Sequence, residues 1–142
     1  MKYSIKVPCA KTKLKTIRSF MDETLGDYGI SKVDLNMLIL AVDEVCANLI
    51  VHSIEDQYAE DCIRLNIYVK PEYVQFEIID FKENGFNLDN YKEPDLEALI
   101  KARRKGGLGL LLVKRIMDNV EFSSNPTNNV CRMTKNMVVA AG

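Results

Sequence analysis

The feature that most constrains this fold is a long apolar run, residues 32–53, which contains neither glycine nor proline. A run of this length is too long for a single strand. Ser31 followed three residues later by Asp34 resembles a helix-capping box, and it stands immediately before the apolar run. The run therefore predicts one long, buried helix.

Elsewhere the apolar residues alternate, as in strands, or recur at steps of three and four, as in helices. Alternating runs on either side of Lys70-Pro71-Glu72 predict one hairpin, and two runs around residues 125–128 predict a second. The order β-α-α-β-β-loop-α-β-β predicts an α+β two-layer sandwich, with helices on one face of a mostly antiparallel, mixed sheet. Strands are predicted at residues 3–7, 63–69, 73–80, 120–124 and 129–137, and helices at 11–26, 32–53 and 106–120.

The composition is that of one globular domain over residues 1–142, with 47% hydrophobic and 27% charged residues. A net charge of −1 gives no reason to expect a nucleic acid or an anionic membrane as partner. Charged residues interrupt the run at 32–53, so no uninterrupted apolar stretch approaches about 18 residues, and no apolar signal core is present. We therefore expect a cytoplasmic protein. The four cysteines show no CxxC spacing, and Cys46 and Cys62 are predicted to be small buried side chains.

Three polar residues, Glu44, Asn48 and His52, interrupt the long helix at intervals of four. Side chains at this spacing lie close to one line along a helix. Because an unpaired carboxylate is costly to bury, this stripe must face solvent, a partner or a ligand. Alternatively, the stripe is the solvent-exposed face of an ordinary amphipathic helix, and His52 is a hydrogen-bonding residue at the helix end. The opposite, buried face is predicted to contain Leu38, Val42, Val45 and Leu49.

Three glycines, Gly106, Gly107 and Gly109, open the last predicted helix. The free backbone N–H groups of such a helix start form an anion site, and missing side chains let a phosphate approach closely. The basic residues 103–105 stand just upstream, within reach of terminal phosphates. The alternatives are a flexible hinge before a core helix and a solvated run of charges. The spacing is not a Walker loop, because no Gly-Lys-Ser/Thr follows, and no strand leads into it as in a dinucleotide-binding fingerprint.

A carboxylate, Asp80, ends the second strand of the first hairpin, where it can accept a hydrogen bond from an amino group in a cleft. The alternative is an ordinary turn residue at a strand end. Gly85 and Phe86 then turn the chain back under an aromatic ring. Residues 81–105 form a polar, charged stretch, and loops of this length inside a compact domain are usually functional or mobile.

Together these features resemble a known superfamily. The Glu-x-x-x-Asn helix, the strand-end Asp before a Gly-Phe turn and the Gly-Gly-Leu-Gly helix start resemble the N, G1 and G2 boxes of the GHKL ATPases. The stretches LAVDEVCANLIVHS and GGLGLLLVKRIMD and the closing Thr-Lys are most similar to the anti-sigma-factor serine kinases. The resemblance covers roughly residues 10–136 and implies the Bergerat fold of histidine-kinase-like ATPases.

The resemblance also implies a role for each matching residue on the helix and the strand. Asn48 matches the Mg²⁺ ligand, a common role for a side-chain oxygen beside nucleotide phosphates. Glu44 matches the general base, one helical turn away, that would orient an attacking hydroxyl. Asp80 matches the carboxylate that recognises the adenine amino group. The implied ligands are therefore ATP and Mg²⁺.

The phosphate-binding turn of the family matches the glycines at the start of the last helix, and residues 81–105 match the lid over the nucleotide. Basic residues just before the glycines are implied to lie near the γ-phosphate. The nucleotide-binding residues so predicted are Asn48, His52, Asp80, Gly85, Phe86, Arg103, Arg104, Lys105, Gly106, Gly107, Leu108 and Gly109.

The function implied by the resemblance is that of an ATP-dependent serine/threonine protein kinase of the anti-sigma type. Such a protein phosphorylates a small, STAS-type anti-sigma-factor antagonist and regulates transcription by partner switching. A sigma factor is a second implied partner, and a homodimer is the implied assembly.

One departure from the family pattern favours an alternative function. The G1 box usually has a glycine two residues after its Asp, whereas Lys82 stands there and Gly85-Phe86 arrives one residue late. The alternative is a catalytically weak or inactive module of the same fold that binds nucleotide or a partner protein. A metal-dependent hydrolase using Glu44 and His52 is disfavoured, because there is one histidine and no HExxH motif.

Overall fold

The structure, a computed structural model, describes residues 1–8, 10–51, 63–81, 106–124 and 128–139. Within these residues the elements follow the predicted order. They are β1 (Lys2–Val7), α1 (Leu14–Leu25), α2 (Lys32–Val51), β2 (Ile63–Val69), β3 (Tyr73–Asp80), α3 (Gly106–Ile116), β4 (Asn119–Ser124) and β5 (Asn129–Asn136), with a 3-10 turn at Lys11–Lys13 before α1.

The last hairpin takes residues that the sequence pattern assigns to the preceding helix. Asn119 pairs with Thr134 of β5, and the backbone N–H of Asp118 donates to the Thr134 carbonyl at 2.9 Å. Strand pairing therefore ends α3 at Ile116 rather than at residue 120. Both predicted hairpins are confirmed, β2 with β3 and β4 with β5.

The five strands form one sheet in the order β1-β2-β3-β5-β4, and all four pairings are antiparallel. Alternate residues of the central strands β2, β3 and β5 point to the helices and are buried, as at Leu65, Phe76 and Met133. The inward residues of the edge strands β1 and β4 are mostly half-buried against the same core. The opposite face of the sheet carries the polar members of the same strands. The predicted two-layer α+β sandwich with helices on one face is thus confirmed.

Helix α2 is the central helix of the helical layer. Its hydroxyl cap is present, since the backbone N–H of Asp34 donates to Ser31 Oγ at 3.1 Å. The predicted inner face is confirmed, because Leu38, Val42, Val45 and Leu49 are all buried. In the described part of the chain no helix is both long and apolar enough to cross a bilayer.

Two cysteines lie in the core between α2 and the sheet. Cys46 is buried as predicted, and Cys131 of β5 is buried as well. Burial raises the pKa of the Cys131 thiol to about 12 and also raises the pKa of Cys46. Both therefore act as small apolar side chains in the core. Cys62 lies outside the described residues.

Candidate functional site

Helices α2 and α3 lie side by side and run in opposite directions. Gly109, the fourth residue of α3, contacts Glu44 in the C-terminal half of α2. At the other end, Leu38 of α2 and Ile116 of α3 line one small cavity. The antiparallel arrangement therefore brings the glycine-rich start of α3 beside the polar stripe of α2.

With Glu44 in its present position, the contact at residue 109 requires glycine. A Cβ atom at this position would lie 2.7 Å from Glu44 Cδ and 3.3 Å from Cγ, and it would overlap Glu44 Oε2. Contacts below 3.0 Å are essentially never made by real Cβ atoms. The missing side chain therefore lets the Glu44 carboxylate lie directly against the backbone of α3.

The environment of Glu44 favours its protonated form more than water does. Burial raises the pKa of the half-buried Glu44 carboxyl, and the negative charge of Asp43 raises it further. Asp43 in turn is paired with Arg18 of α1, with 3.2 Å between Nη1 and Oδ1. Within the described residues Glu44 has no hydrogen bond and no ion pair. A carboxylate whose pKa is raised toward neutrality is a better proton acceptor once it ionises.

Asn48 lies one turn beyond Glu44 on the same stripe of α2 and is half-buried. Residues four apart are offset by about 40° around a helix, so the two side chains leave α2 in nearly the same direction. An amide group and a carboxylate thus leave α2 on the side on which α3 begins.

The first turn of α3 is suited to bind an anion. Residues 106–109 are its first four, and the first four N–H groups of an α-helix have no acceptor inside the helix. Together with the helix dipole they favour a negatively charged ligand. Backbone positions alone are described for Gly106, Gly107 and Leu108, and all three are helical, as predicted for the helix start.

Asp80 ends β3 on the inner face of the sheet and is only 1% exposed. Its register partners are Ile63 on β2 and Asn129 on β5, and Asn129 is the second buried polar side chain at this end of the sheet. The carboxyl group therefore points into the helical layer rather than into a surface turn. Burial disfavours the reading of Asp80 as an ordinary surface-turn residue, and its recognition of adenine stays a prediction.

The structure brings together part of the predicted site. Glu44 and Gly109 are in contact, Asn48 lies on the same stripe, and Asp80 is on the same side of the sheet. The remaining predicted site residues lie outside the described residues, as does the predicted lid beyond residue 81: His52, Gly85, Phe86, Arg103, Arg104 and Lys105.

Several neighbours of the site were not anticipated from the sequence. Asn129 stands beside Asp80 only because of the strand register, and Arg18 reaches Asp43 from another helix. Arg64 stacks over the Phe81 ring, with 5.3 Å from Cζ to the ring centroid, where the chain leaves β3. Among these residues and their partners, only Asp43 could have been found from the sequence, because it directly precedes the candidate base Glu44.

Comparison with known proteins agrees with this geometry. The serine-protein kinases RsbW of Bacillus thuringiensis (strain Al Hakam) and Bacillus cereus (strain 03BB102) are each 25% identical to the chain over 127 residues. The match covers 85% of this chain and 76% of theirs.

Two solved structures share the fold. The crystal structure of the RsbU and RsbW domains of Rv1364c from Mycobacterium tuberculosis matches with a TM-score of 0.69 at 14% identity, over 100% of this chain and 34% of that longer chain. The SiaB–SiaC complex from Pseudomonas aeruginosa matches with a TM-score of 0.66 at 14% identity, over 93% of this chain and 88% of that one. The family model of the histidine kinase-like ATPase domain matches residues 7–135, and the chain therefore belongs to that family.

Proposed function

We propose that this protein is a serine/threonine protein kinase of the anti-sigma type, which uses ATP and Mg²⁺ to phosphorylate a partner protein. Membership of the histidine kinase-like ATPase family and similarity to proteins named serine-protein kinases support this function. The observation that carries it is the contact of Gly109 with Glu44, since it sets a half-buried carboxylate beside a helix start suited to phosphate.

The residues present fit ATP with Mg²⁺. The missing side chain of Gly109 lets Glu44 lie against the start of α3, and the N–H groups of residues 106–109 lack acceptors within the helix. Asn48 offers an amide oxygen, a ligand type that Mg²⁺ accepts. In this proposal Asn48 would hold the metal and the helix start would hold the phosphates. When bound, ATP with Mg²⁺ supplies the phosphoryl group and neutralises part of its charge.

In this proposal, other segments of the chain recognise adenine and complete the nucleotide pocket. Asp80 would accept a hydrogen bond from the adenine amino group at the buried end of β3. His52, Gly85 and Phe86 would complete the nucleotide pocket, and the basic residues 103–105 would lie toward the terminal phosphate.

The chemical role of Glu44 follows from its surroundings. As general base it would accept the proton of the attacking serine or threonine hydroxyl, and its raised pKa makes it a stronger acceptor than an exposed glutamate. Gly109 keeps that carboxylate at the start of α3, and Arg18 holds the neighbouring Asp43. Glu44 would therefore position the hydroxyl as well as take its proton.

The proposed acceptor is a STAS-type anti-sigma-factor antagonist, so that its phosphorylation state decides which protein this chain holds. A sigma factor is the proposed second partner, a homodimer the proposed assembly, and the cytoplasm the proposed location. One solved neighbour is a complex, SiaB with SiaC, and the other contains an RsbU domain beside its RsbW domain, which supports an activity that works through protein contacts.

A second candidate function rests on Lys82. A lysine at the position where the family usually has glycine would place a side chain near the nucleotide base. The protein would then be a partner-binding module that binds ATP weakly or transfers no phosphate.

One experiment separates these functions. The protein is incubated with ATP, Mg²⁺ and each STAS-domain protein encoded in its own genome, and transfer is followed by mass spectrometry while ATP affinity is measured by calorimetry. We expect Glu44→Gln to lower kcat about 100-fold or more with ATP affinity changed only a few-fold. Asn48→Ala should abolish the dependence of ATP binding on Mg²⁺.

The matched control is Glu121→Gln, an exposed glutamate of β4 that should leave both measurements unchanged. Transfer that Glu44→Gln leaves undiminished would remove Glu44 as the base. A wild-type protein that binds no nucleotide would favour the partner-binding module.

A further inference from the structure

A cavity of about 430 Å³ lies at the edge of the sandwich, between β1 and α1 and the turn that follows α1. It shares no residue with the candidate nucleotide site. Three aromatic side chains, Tyr3, Phe20 and Tyr28, line it together with two carboxylates, Glu23 and Asp27. Its volume falls in the range of sites that bind small ligands or single side chains.

The helical spacing of α1 produces this lining. Phe20, Glu23 and Asp27 follow one another at steps of three and four, so they share one side of α1 and its continuation. That side lies next to the buried side of the helix, which carries Met21 and Leu25. Because β1 is the edge strand of the sheet, no further strand lies beneath this part of α1 within the described residues.

Two tyrosines form the floor of the cavity. The Tyr3 and Tyr28 rings meet edge to face, with 6.4 Å between centroids and 77° between planes, and their hydroxyl groups are hydrogen-bonded to each other. This hydrogen bond, burial and the nearby negative charge of Asp27 all raise the pKa of Tyr28. The Tyr28 phenol is therefore neutral at physiological pH, and the rings of Tyr3 and Tyr28 present polarisable surface to the cavity.

The net charge of the lining is negative, because the Met1 ammonium group offsets only one of the two carboxylate charges. Glu23 and Asp27 form no ion pair with any residue in the described ranges. The Met1 ammonium group, which also lines the cavity, donates to the Val69 carbonyl at 3.1 Å. A group that fits this lining must be cationic and must have a flat or apolar surface for the rings.

We propose that this cavity binds an arginine side chain of a partner polypeptide that lies along β1. A guanidinium group stacks on aromatic rings, and its planar fork of donors matches carboxylates better than the ammonium of lysine does. Glu23 and Asp27, four residues apart, would accept hydrogen bonds from the guanidinium N–H groups. The open edge of β1, which is paired only to β2 in the described residues, offers backbone groups to an extended chain.

The test uses synthetic peptides that differ at one side chain. The probe is acetyl-Thr-Val-Arg-Val-Thr-amide, and its control carries citrulline, the neutral isostere of arginine, in the central position. Binding is followed by the NMR shifts of backbone amides in β1 and of the tyrosine rings. We expect the arginine peptide to bind at least tenfold more tightly than the citrulline peptide, and less tightly as salt is added.

Protein variants locate the binding site. Glu23→Gln with Asp27→Asn should weaken the arginine peptide tenfold or more, whereas Asp22→Asn, an exposed neighbour on α1 outside the cavity, should have no effect. Tyr28→Phe keeps the ring and removes one hydroxyl, and it should retain most of the affinity. All substituted positions are at the surface or half-buried, so circular dichroism can verify the fold of each variant.

Three results would overturn the proposal. Equal binding of the citrulline peptide would show that no cation is recognised. Unchanged affinity in the doubly substituted protein would place the peptide elsewhere. Free arginine amide binding as tightly as the peptide would show that β1 contributes nothing and that the cavity accepts a small amine instead of a polypeptide.

Discussion

Two half-buried glutamates, one on each side of the sheet, have opposite surroundings. Glu44, in the helical layer, lies against Gly109 and beside the like charge of Asp43, and its pKa is raised. Glu77, on the open face, accepts hydrogen bonds from Arg132 at 2.8 Å, Asn66 at 2.9 Å and Tyr68 at 3.3 Å. Burial alone would raise the pKa of Glu77, but the hydrogen bonds from Arg132 and Asn66 outweigh it and lower the pKa.

The difference separates a structural carboxylate from a candidate reactive one. Glu77 joins a polar network across four strands, in which Ser4 donates to Asn66 at 2.7 Å and Asn66 donates to Glu77. That network satisfies Asn66, which is only 4% exposed. Glu44 receives no such donors within the described residues, and a fold keeps a half-buried acid in this state mainly where the acid has chemistry to perform.

The largest expected effect comes from Gly109→Ala. The added methyl group must displace the Glu44 carboxylate, and a displacement of about 1 Å at a reacting group costs on the order of 100-fold in rate. Because the displaced atoms are the free end of a flexible side chain, the free energy of unfolding should fall by only about 1 kcal/mol or less. Phosphotransfer assays and urea titrations measure the two quantities.

A double variant tests whether the effect acts through Glu44. In the Glu44→Ala background the methyl group has room, so adding Gly109→Ala should cause little further loss of activity. If the fold-losses of activity in the two single variants instead multiply in the double variant, Gly109 acts through the nucleotide rather than through the Glu44 carboxylate.

A smaller effect, on stability alone, is expected at Glu77. Glu77→Ala removes the acceptor shared by Asn66 and Arg132 and leaves the buried amide without one partner, which should lower the free energy of unfolding by about 2 kcal/mol. Glu121→Ala, also near Arg132 but 57% exposed, should cost less than about 0.5 kcal/mol. Denaturant titration measures both losses of stability. A loss of kinase activity in a folded Glu77→Ala protein would contradict the assignment of a purely structural role to Glu77.

The sequence pattern predicted the element order, both hairpins and the buried side of α2, because each follows from periodicity within one segment. It placed Glu44 and Asn48 on one stripe for the same reason. The network around Glu77 could not be predicted, since Ser4, Asn66 and Arg132 meet only through the strand register. In isolation each of them is indistinguishable from a solvent-exposed residue of an alternating strand.

The end of α3 shows where local pattern fails. Leu110, Val113, Met117 and Val120 continue at helical steps, so the apolar spacing alone extends the helix to residue 120. The pairing of Val120 with Met133 of β5 outweighs that spacing, because the strand gains backbone hydrogen bonds and still packs Val120 against the core. The contact of Glu44 with Gly109 was likewise beyond local pattern, since it depends on how two helices that are distant in the sequence pack together.

The smallest expected effect is on the free energy of unfolding as pH changes. The contributions of Glu77 and Glu44 to it should change in opposite directions. Because the folded pKa of Glu77 is lowered, the stability it contributes is present above the ordinary glutamate pKa and is lost as pH falls through the lowered value. Because the folded pKa of Glu44 is raised, its contribution is full below the ordinary pKa, about 4.3, and is lost as pH rises through the raised value.

The measurement compares Glu77→Gln and Glu44→Gln with the wild-type protein by urea titration between about pH 4 and pH 7. As pH rises, the wild-type protein should gain stability relative to Glu77→Gln and lose stability relative to Glu44→Gln. Each variant is the control for the other, because both replace a half-buried glutamate by the same neutral amide. Slopes of the same sign would mean that Glu44 is held in its charged form by partners in the folded protein, and a base so stabilised would be weaker than the proposed mechanism requires.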